Sequence, residues 1–365
     1  MDKVRRHHRA TGRLLDKAGR DQPFQRLYAF VSMLSEVYAR LSAKEQWTIA
    51  NRLRGDLKAP GGIESIAFEM HVASHLLARG FDVEWHDLDQ GGGFDFLIVK
   101  QGLEAEVECK TFSGDLGRKI HKRRMYELGG LIFDRLADAY GRAGSSVVEV
   151  VVPDRLNAGD MGRIAGQLNG ALDSLANFAG PEPCEVTIQP LEIGGSPFDC
   201  DDFPPVVDHD AVRDFVRDRY GHNNPQLLVR MFERRGVMLV ILRSRRPDSV
   251  VASIYEHVKR GTKQFSGTRP AILCSHLLDM SAAQLRELDS APKPSNLDFV
   301  AHRAMRSVDR KFLHSVTFSV HGSLRYRRVL DGLVVRNHRR EVGSIYSIVS
   351  RDHILRDDPR LEIFL

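Results

Sequence analysis

Glu108 and Lys110 stand two positions apart in the run LEAEVECKT, and Asp95 opens the preceding apolar run DFLIV. Carboxylates and an amine gathered on neighbouring strands supply hard oxygen ligands for Mg2+ beside a cationic group. A cation held there lowers the pKa of coordinated water and offsets the extra negative charge of a pentacovalent phosphate. Lys110 is then placed to orient or deprotonate the attacking water and to add positive charge near the transition state. The chemistry this set points to is phosphodiester hydrolysis.

The elements that must position these groups are legible as patterns. Leu103, Ala105, Val107 and Cys109 alternate with Glu104, Glu106, Glu108 and Lys110. That period of two predicts a strand with an apolar face on the core and the charged side chains together on the other. The short connection Lys100, Gln101, Gly102 predicts a hairpin between DFLIV and LEAEVECKT. Gly91, Gly92 and Gly93 precede a strand, so they read as a tight turn delivering Asp95 and not as a phosphate-cradling loop. Upstream, Ile66, Met70, Ala73 and Leu77 form a helical stripe over roughly 63–79 that stops at Gly80 and carries Glu69. His71 and His75 have the spacing of a helical metal pair, but Val72 stands where a zinc protease carries its glutamate.

Further on, a helix is predicted from about Lys119 to Arg142, then a strand at Val147 to Pro153, a helix near Met161 to Ala179 and a strand at Cys184 to Ile193. This alternation argues an α/β or α+β core with mixed strand direction. Residues 1–60 read as a basic helical N-terminal segment, with Leu27, Phe30, Leu34, Val37 and Leu41 at helical spacing. Residues 61–200 read as the core that carries the site. Past the Gly-, Pro- and Asp-rich stretch GGSPFDCDDFPPVVDHD, residues 201–365 read as an α/β C-terminal domain for target recognition or core extension.

The run AFEMHVASHLLARGFDVEWHDLDQGGGFDFLIVKQGLEAEVECK resembles the PD-(D/E)XK nuclease superfamily and, within it, the Mrr-type restriction endonucleases. The resemblance lies in a helix with Phe-Glu, a Gly-aromatic-x-Val strand, a Gly-rich turn into an aspartate, and Glu-x-Lys, over about 45 of the 365 residues. It implies a restriction-endonuclease-like mixed sheet flanked by helices. It also implies Mg2+, with Mn2+ as a substitute, bound by Asp95 and Glu108, water assisted by Lys110, and a metal site supported by Glu69. Phe94 stands where this superfamily often has proline, and Glu108 where Mrr-like members often have glutamine. On the residues alone, Glu64 competes with Glu69 for the helix role, and a solvated strand face is the plainer account of Glu104, Glu106, Glu108 and Lys110.

The chain has 53 Lys and Arg against 48 Asp and Glu and an apolar share of 42%, ordinary values for a globular protein. Seven basic and two acidic side chains in the first twenty residues carry the whole net charge of +5. Affinity for a polyanion must therefore come from that arm and from the runs at Arg118 to Arg124, Arg243 to Arg246, Arg325 to Arg328 and Arg336 to Arg340. These point to DNA as the partner, with Arg118, Lys119, Lys122, Arg123 and Arg124 as phosphate contacts beside the metal site. A non-cleaving nucleic-acid-binding or assembly protein and a structured-RNA nuclease would use the same features. A cutter of both strands is expected to be a homodimer, because two strands need two sites.

No run approaches the ~20 apolar residues of a bilayer span, and the N-terminal stretch lacks the apolar core of a secretory signal. Cys109, Cys184, Cys200 and Cys274 form no C-x-x-C pair, and no Gly-x-Ser-x-Gly elbow occurs. A cytoplasmic enzyme with reduced thiols, no membrane association and no covalent intermediate is the expectation.

Overall fold

The computed structural model describes residues 22–59, 62–90, 93–178, 183–199, 208–222, 225–232, 236–290, 295–321 and 333–339. The chain divides into one unit of residues 1–116 with 251–365 and another of residues 117–250. The basic arm over residues 1–20 and the run Arg325 to Arg328 lie outside the described residues, as do the side chains of Arg336 to Arg340.

The expected continuous helical lead-in is two helices, α1 (Gln22–Tyr38) and α2 (Ala43–Asp56). Ser42 and Glu45 encode the break. The Glu45 amide donates to Ser42 Oγ at 3.4 Å while the Ser42 amide donates to Glu45 Oε2 at 2.7 Å, a capping box that starts a new helix. Next, α3 (Glu64–Ala78) is buried over most of its length, as a helix enclosed on nearly all sides must be. Gly80, at φ 76°, ends it as expected.

Three strands then form an antiparallel meander: β1 (Asp82–Trp85), β2 (Phe96–Lys100) and β3 (Leu103–Ser113), with the short helix α4 (His86–Gln90) between the first two. The β2–β3 hairpin turns through Gln101 and Gly102, both at positive φ, the geometry that matches strand twist. Ile98, Ala105, Val107 and Cys109 face a core shared with Ile66, Met70 and Ala73 of α3.

The second unit comprises α5 (Lys122–Ala143), β4 (Ser146–Val152), α6 (Met161–Ser174), β5 (Glu185–Pro190), α7 (His209–Tyr220), β6 (Gln226–Phe232) and β7 (Gly236–Ser244). Its strand order is β5-β4-β7-β6, with β4 and β7 parallel and the outer pairs antiparallel. The runs VVEVVV and GVMLVIL are apolar at almost every position because both faces of this sheet are covered. Val148, Val150, Val152, Val240 and Leu242 pack in one cluster with residues of α5 and α6, and Val147, Val237, Leu239 and Ile241 in another with Val212 and Val216 of α7.

The chain returns to the first unit through α8 (Val250–Gly261), β8 (Ala271–Leu278), α9 (Ala282–Ser290), α10 (Asn296–Met305), β9 (Leu313–His321) and β10 (Leu333–Arg339). The strand β8 pairs in parallel with β3 from Glu106↔Ala271 to Ser113↔Leu278, and β9 lies parallel to β8. The complete order is β1-β2-β3-β8-β9-β10. A mixed sheet flanked by helices, the α+β class expected, is therefore present.

The division of the chain is not the one expected. Residues 61–200 take in only part of the 117–250 unit, and residues 201–365 join the rest of it to three strands of the first sheet. A parallel pair such as β3 and β8 requires a long crossover, and the second unit is inserted within it. Local composition at GGSPFDCDDFPPVVDHD marks a connection but carries no information about which distant strands pair. Among the described residues no helix is long and apolar enough to cross a membrane.

Candidate metal centre

Asp95 is fixed by main chain on both sides. Its amide donates to the Val107 carbonyl at 3.1 Å, and its carbonyl accepts from the His86 amide at 2.9 Å. Its side-chain Oδ2 accepts from the Cys109 amide at 2.6 Å. The turn into β2 thus sets the carboxylate against β3, as the spacing implies. Gly93 within that turn sits at φ 95°, a conformation that favours glycine, while Gly91 and Gly92 lie outside the described residues.

Glu69 on α3 and Asp87 on α4 complete a trio with Asp95, one carboxylate oxygen of each lying within 4.8 Å of the others. Asp87 was not singled out in the sequence. The acidic character of HDLDQ is a weak signal, and which acid of that stretch turns to the site depends on a five-residue helix with no pattern of its own. The competing Glu64 is exposed at the start of α3, whereas Glu69 is buried and belongs to the trio.

Arg52 of α2 also enters the cluster without any sequence signal. Its Nη2 donates to both Glu69 oxygens at 2.9 Å, and its Nη1 donates to Asp87 Oδ2 at 2.8 Å. The two charge-assisted contacts from one nitrogen hold Glu69 in place. It also fixes α2 against the site.

The charged face of β3 is not the solvated face that strand alternation allows. Glu106 and Glu108 are both 0% exposed. Glu104 accepts from Arg269 Nε at 2.8 Å, and Glu106 accepts from the Ser266 amide at 2.9 Å and from the Ser266 hydroxyl. Glu108 is provided for differently. Lys110 Nζ is ion-paired with its Oε1, and its buried Oε2 accepts no hydrogen bond among the described residues.

Gly261 at the end of α8 is a further residue that no sequence signal marked. A Cβ there would meet Leu273 Cδ1 at 2.9 Å and Lys110 Cγ at 3.4 Å. The missing side chain leaves room for the stem of Lys110.

Burial raises the carboxyls of the trio and also that of Glu108, which the sequence placed as a metal ligand with Asp95 but which is not among the three whose oxygens come together. Glu69 is pushed up to about 8 by burial and then by Asp95, against the opposing pull of Arg52. Asp95 is likewise raised to about 8 by burial and Glu108, with the Cys109 amide opposing. Glu108 rises to about 7 by burial, opposed by Lys110 and reinforced by Glu69 and Asp87. Burial raises Asp87 as well. Excess negative charge out of water is what a bound divalent cation offsets. The donor set consists of carboxylate oxygens, which suits a hard divalent cation and not a thiolate-seeking metal.

Cys109 points its side chain into the apolar core, where burial and the neighbouring Cys274 hold the thiol far above its ordinary value. His71 and His75 are buried on α3 and are not part of the acidic trio.

The expected phosphate contacts belong to the other unit. Lys122, Arg123 and Arg124 form the first turn of α5, while Arg118 and Lys119 precede it, so the helix begins three residues later than expected. Arg123 and Arg124 pair with Glu127 at 2.9 and 2.5 Å, and Lys119 Nζ with Asp154 at 2.8 Å. Arg118 is only 4% exposed. The carboxylate cluster lies in the unit of residues 1–116 with 251–365 and these five in that of 117–250. No family model matches the chain, and no curated protein matches it either.

Proposed function

We propose that this protein is a Mg2+-dependent nuclease that hydrolyses phosphodiester bonds of DNA, an endonuclease of the restriction, phage-defence or repair type. The observation that carries this reading is the unequal treatment of the acids on β3. Glu104 and Glu106 have protein donors, whereas Glu108 is buried with Lys110 as its counter-charge, in electrostatic reach of Glu69, Asp87 and Asp95. Burying such a set without a cation is costly.

Asp95 and Glu108 would hold the metal, with Asp87 and Glu69 completing the oxygen set. When bound, the cation supplies Lewis acidity that stabilises charge developing on a phosphate. Lys110, on the edge of the cluster with its ammonium ion-paired to Glu108, orients the attacking water and keeps positive charge beside the scissile phosphate. Arg52 locks Glu69, and Cys109 through its amide locks Asp95, so the oxygens are held in place before substrate arrives. Lys122, Arg123 and Arg124 open α5 with no acid in its first turn, an arrangement that opposes the helix dipole and favours an anionic partner. The enzyme acts in the cytoplasm, as a homodimer when it cuts both strands.

One feature favours a second reading. The Arg52 guanidinium already bridges Glu69 and Asp87, as it would in a nucleic-acid-binding protein whose scaffold no longer cuts. Incubation of purified protein with supercoiled plasmid in Mg2+, Mn2+ or EDTA, beside Lys110→Ala, separates the two. Metal-dependent nicking that Lys110→Ala lacks is the expected result. Binding of the plasmid with no nicking in either metal would support the second reading.

A further inference from the structure

Two basic runs far apart in the sequence meet in the unit of residues 117–250. A pocket of about 180 Å3 there is lined by Arg118, His222, Arg243, Ser244, Arg246 and Asp248. We propose that this pocket is a phosphate-binding site that takes a terminal phosphomonoester, carried either by a free nucleotide or by the end of a nucleic-acid strand. Every residue involved belongs to the second unit, so the proposal does not depend on the reading of the carboxylate cluster.

The cations are held in place, not trailing in solvent. Arg118 is 4% exposed although it lines the pocket, and a buried guanidinium gives a fixed planar array of donors suited to phosphate. Glu149 on β4 accepts from Arg243 Nε at 2.6 Å, and its same oxygen lies 2.9 Å from His222 Nε2. One carboxylate thereby orients two lining side chains. Arg246 is exposed and has no ion pair among the described residues. A second opposing charge besides Glu149, Asp248, is engaged through Oδ1 with the Lys119 amide at 2.7 Å.

Size and shape select the ligand class. A groove that follows a strand is extended, whereas this pocket is compact, with Ile120, Pro225 and Leu242 adding apolar wall. It suits one phosphate dianion with a small attached group. It also lies where β7 ends at Ser244, beside the parallel strand β4 that ends at Val152; the carboxyl ends of parallel strands are a common place for ligands in α/β sheets.

The test uses the full chain in EDTA, so that no divalent cation bridges phosphate to the carboxylate cluster. Calorimetric titration compares adenosine 5′-monophosphate with adenosine, and fluorescence anisotropy compares a 5′-phosphorylated oligonucleotide with its 5′-hydroxyl counterpart. We expect the phosphorylated member of at least one pair to bind at least tenfold more tightly, a step of about one charge-assisted hydrogen bond. That preference should fall about tenfold in Arg246→Gln and in Arg243→Gln. Arg246 is exposed, so its variant should fold, and an unchanged circular-dichroism melt would verify this. Preference confined to the mononucleotide identifies a nucleotide site, and preference confined to the oligonucleotide identifies a strand-end site. If neither pair shows a preference, or folded Arg246→Gln and Arg243→Gln retain it in full, the proposal is overturned.

Discussion

Glu108 on β3 and Glu149 on β4 occupy comparable settings: each lies on a strand that pairs in parallel with one neighbour and antiparallel with the other. Their surroundings differ in kind. Glu149 sits between Arg243 and His222 at 2.6 and 2.9 Å and keeps some exposure. Glu108 is fully buried, its counter-charge is Lys110, and three further carboxyl groups raise the local negative charge. A strand glutamate with matched donors organises cations around it. One with a single lysine against it and three more carboxyls near has fewer positive charges than negative around it, and that imbalance distinguishes the candidate metal centre from an ordinary buried ion pair.

The strongest way to break this comparison is to remove the ligand that β3 fixes through its main chain. Asp95→Asn should lower metal-dependent cleavage about a thousandfold or more, since a metal's charge stabilisation amounts to several kcal/mol, while DNA retention in a gel-shift assay stays near the parent level. Cleavage within a few-fold of the parent would place the site elsewhere.

Next in size are opposite stability changes from the same chemical replacement. Glu108→Gln relieves a buried charge and should raise the melting temperature of the metal-free protein, by about 1 kcal/mol of stability, while abolishing cleavage. Glu149→Gln loses a charged acceptor for two donors and should lower it by about 1 kcal/mol. Shifts of the same sign in metal-free thermal melts would remove the distinction.

The pH dependence sharpens it further. Glu69 and Asp95 are raised to about 8 and Glu108 to about 7, whereas unfolded carboxyl groups titrate near 4. Between about pH 4 and pH 8 the folded chain thus binds more protons than the unfolded one, and this contribution to stability falls as pH rises. In EDTA the melting temperature should therefore drop across that window, and Mg2+ or Mn2+ should restore more at the upper end than at the lower. A metal increment that is largest at low pH would contradict the electrostatic account. The smallest expected effect is that of Gly261→Ala, whose Cβ would press on Leu273 Cδ1 at 2.9 Å and touch Lys110 Cγ at 3.4 Å. Turnover should drop by up to about tenfold through misplacement of the lysine, with metal affinity by calorimetry unchanged.

Much of the local frame was legible. The period of two in LEAEVECKT, the turn at Gln101 and Gly102, and the helix stop at Gly80 each follow from short-range rules, and the structure has all three. So does the approach of Asp95 to β3, because a hairpin partner is near in sequence. The capping box at Ser42 and Glu45 is likewise a short-range signal, and it marks the break between α1 and α2 within the helical segment. Residue by residue, then, the sequence determined the strand and hairpin that bear Asp95, Glu108 and Lys110, since side-chain alternation and turn stereochemistry act over a few positions. Tertiary structure alone decided that Glu106 is covered and met by Ser266 while Glu108 is covered with only Lys110 against it, that Arg52 and Asp87 join the cluster, that β8 completes the sheet after the long insertion, and that Arg118 meets Arg243 and Arg246. Those outcomes depend on which distant surfaces exclude water from one another, and pairing between remote segments leaves no periodic trace in either of them.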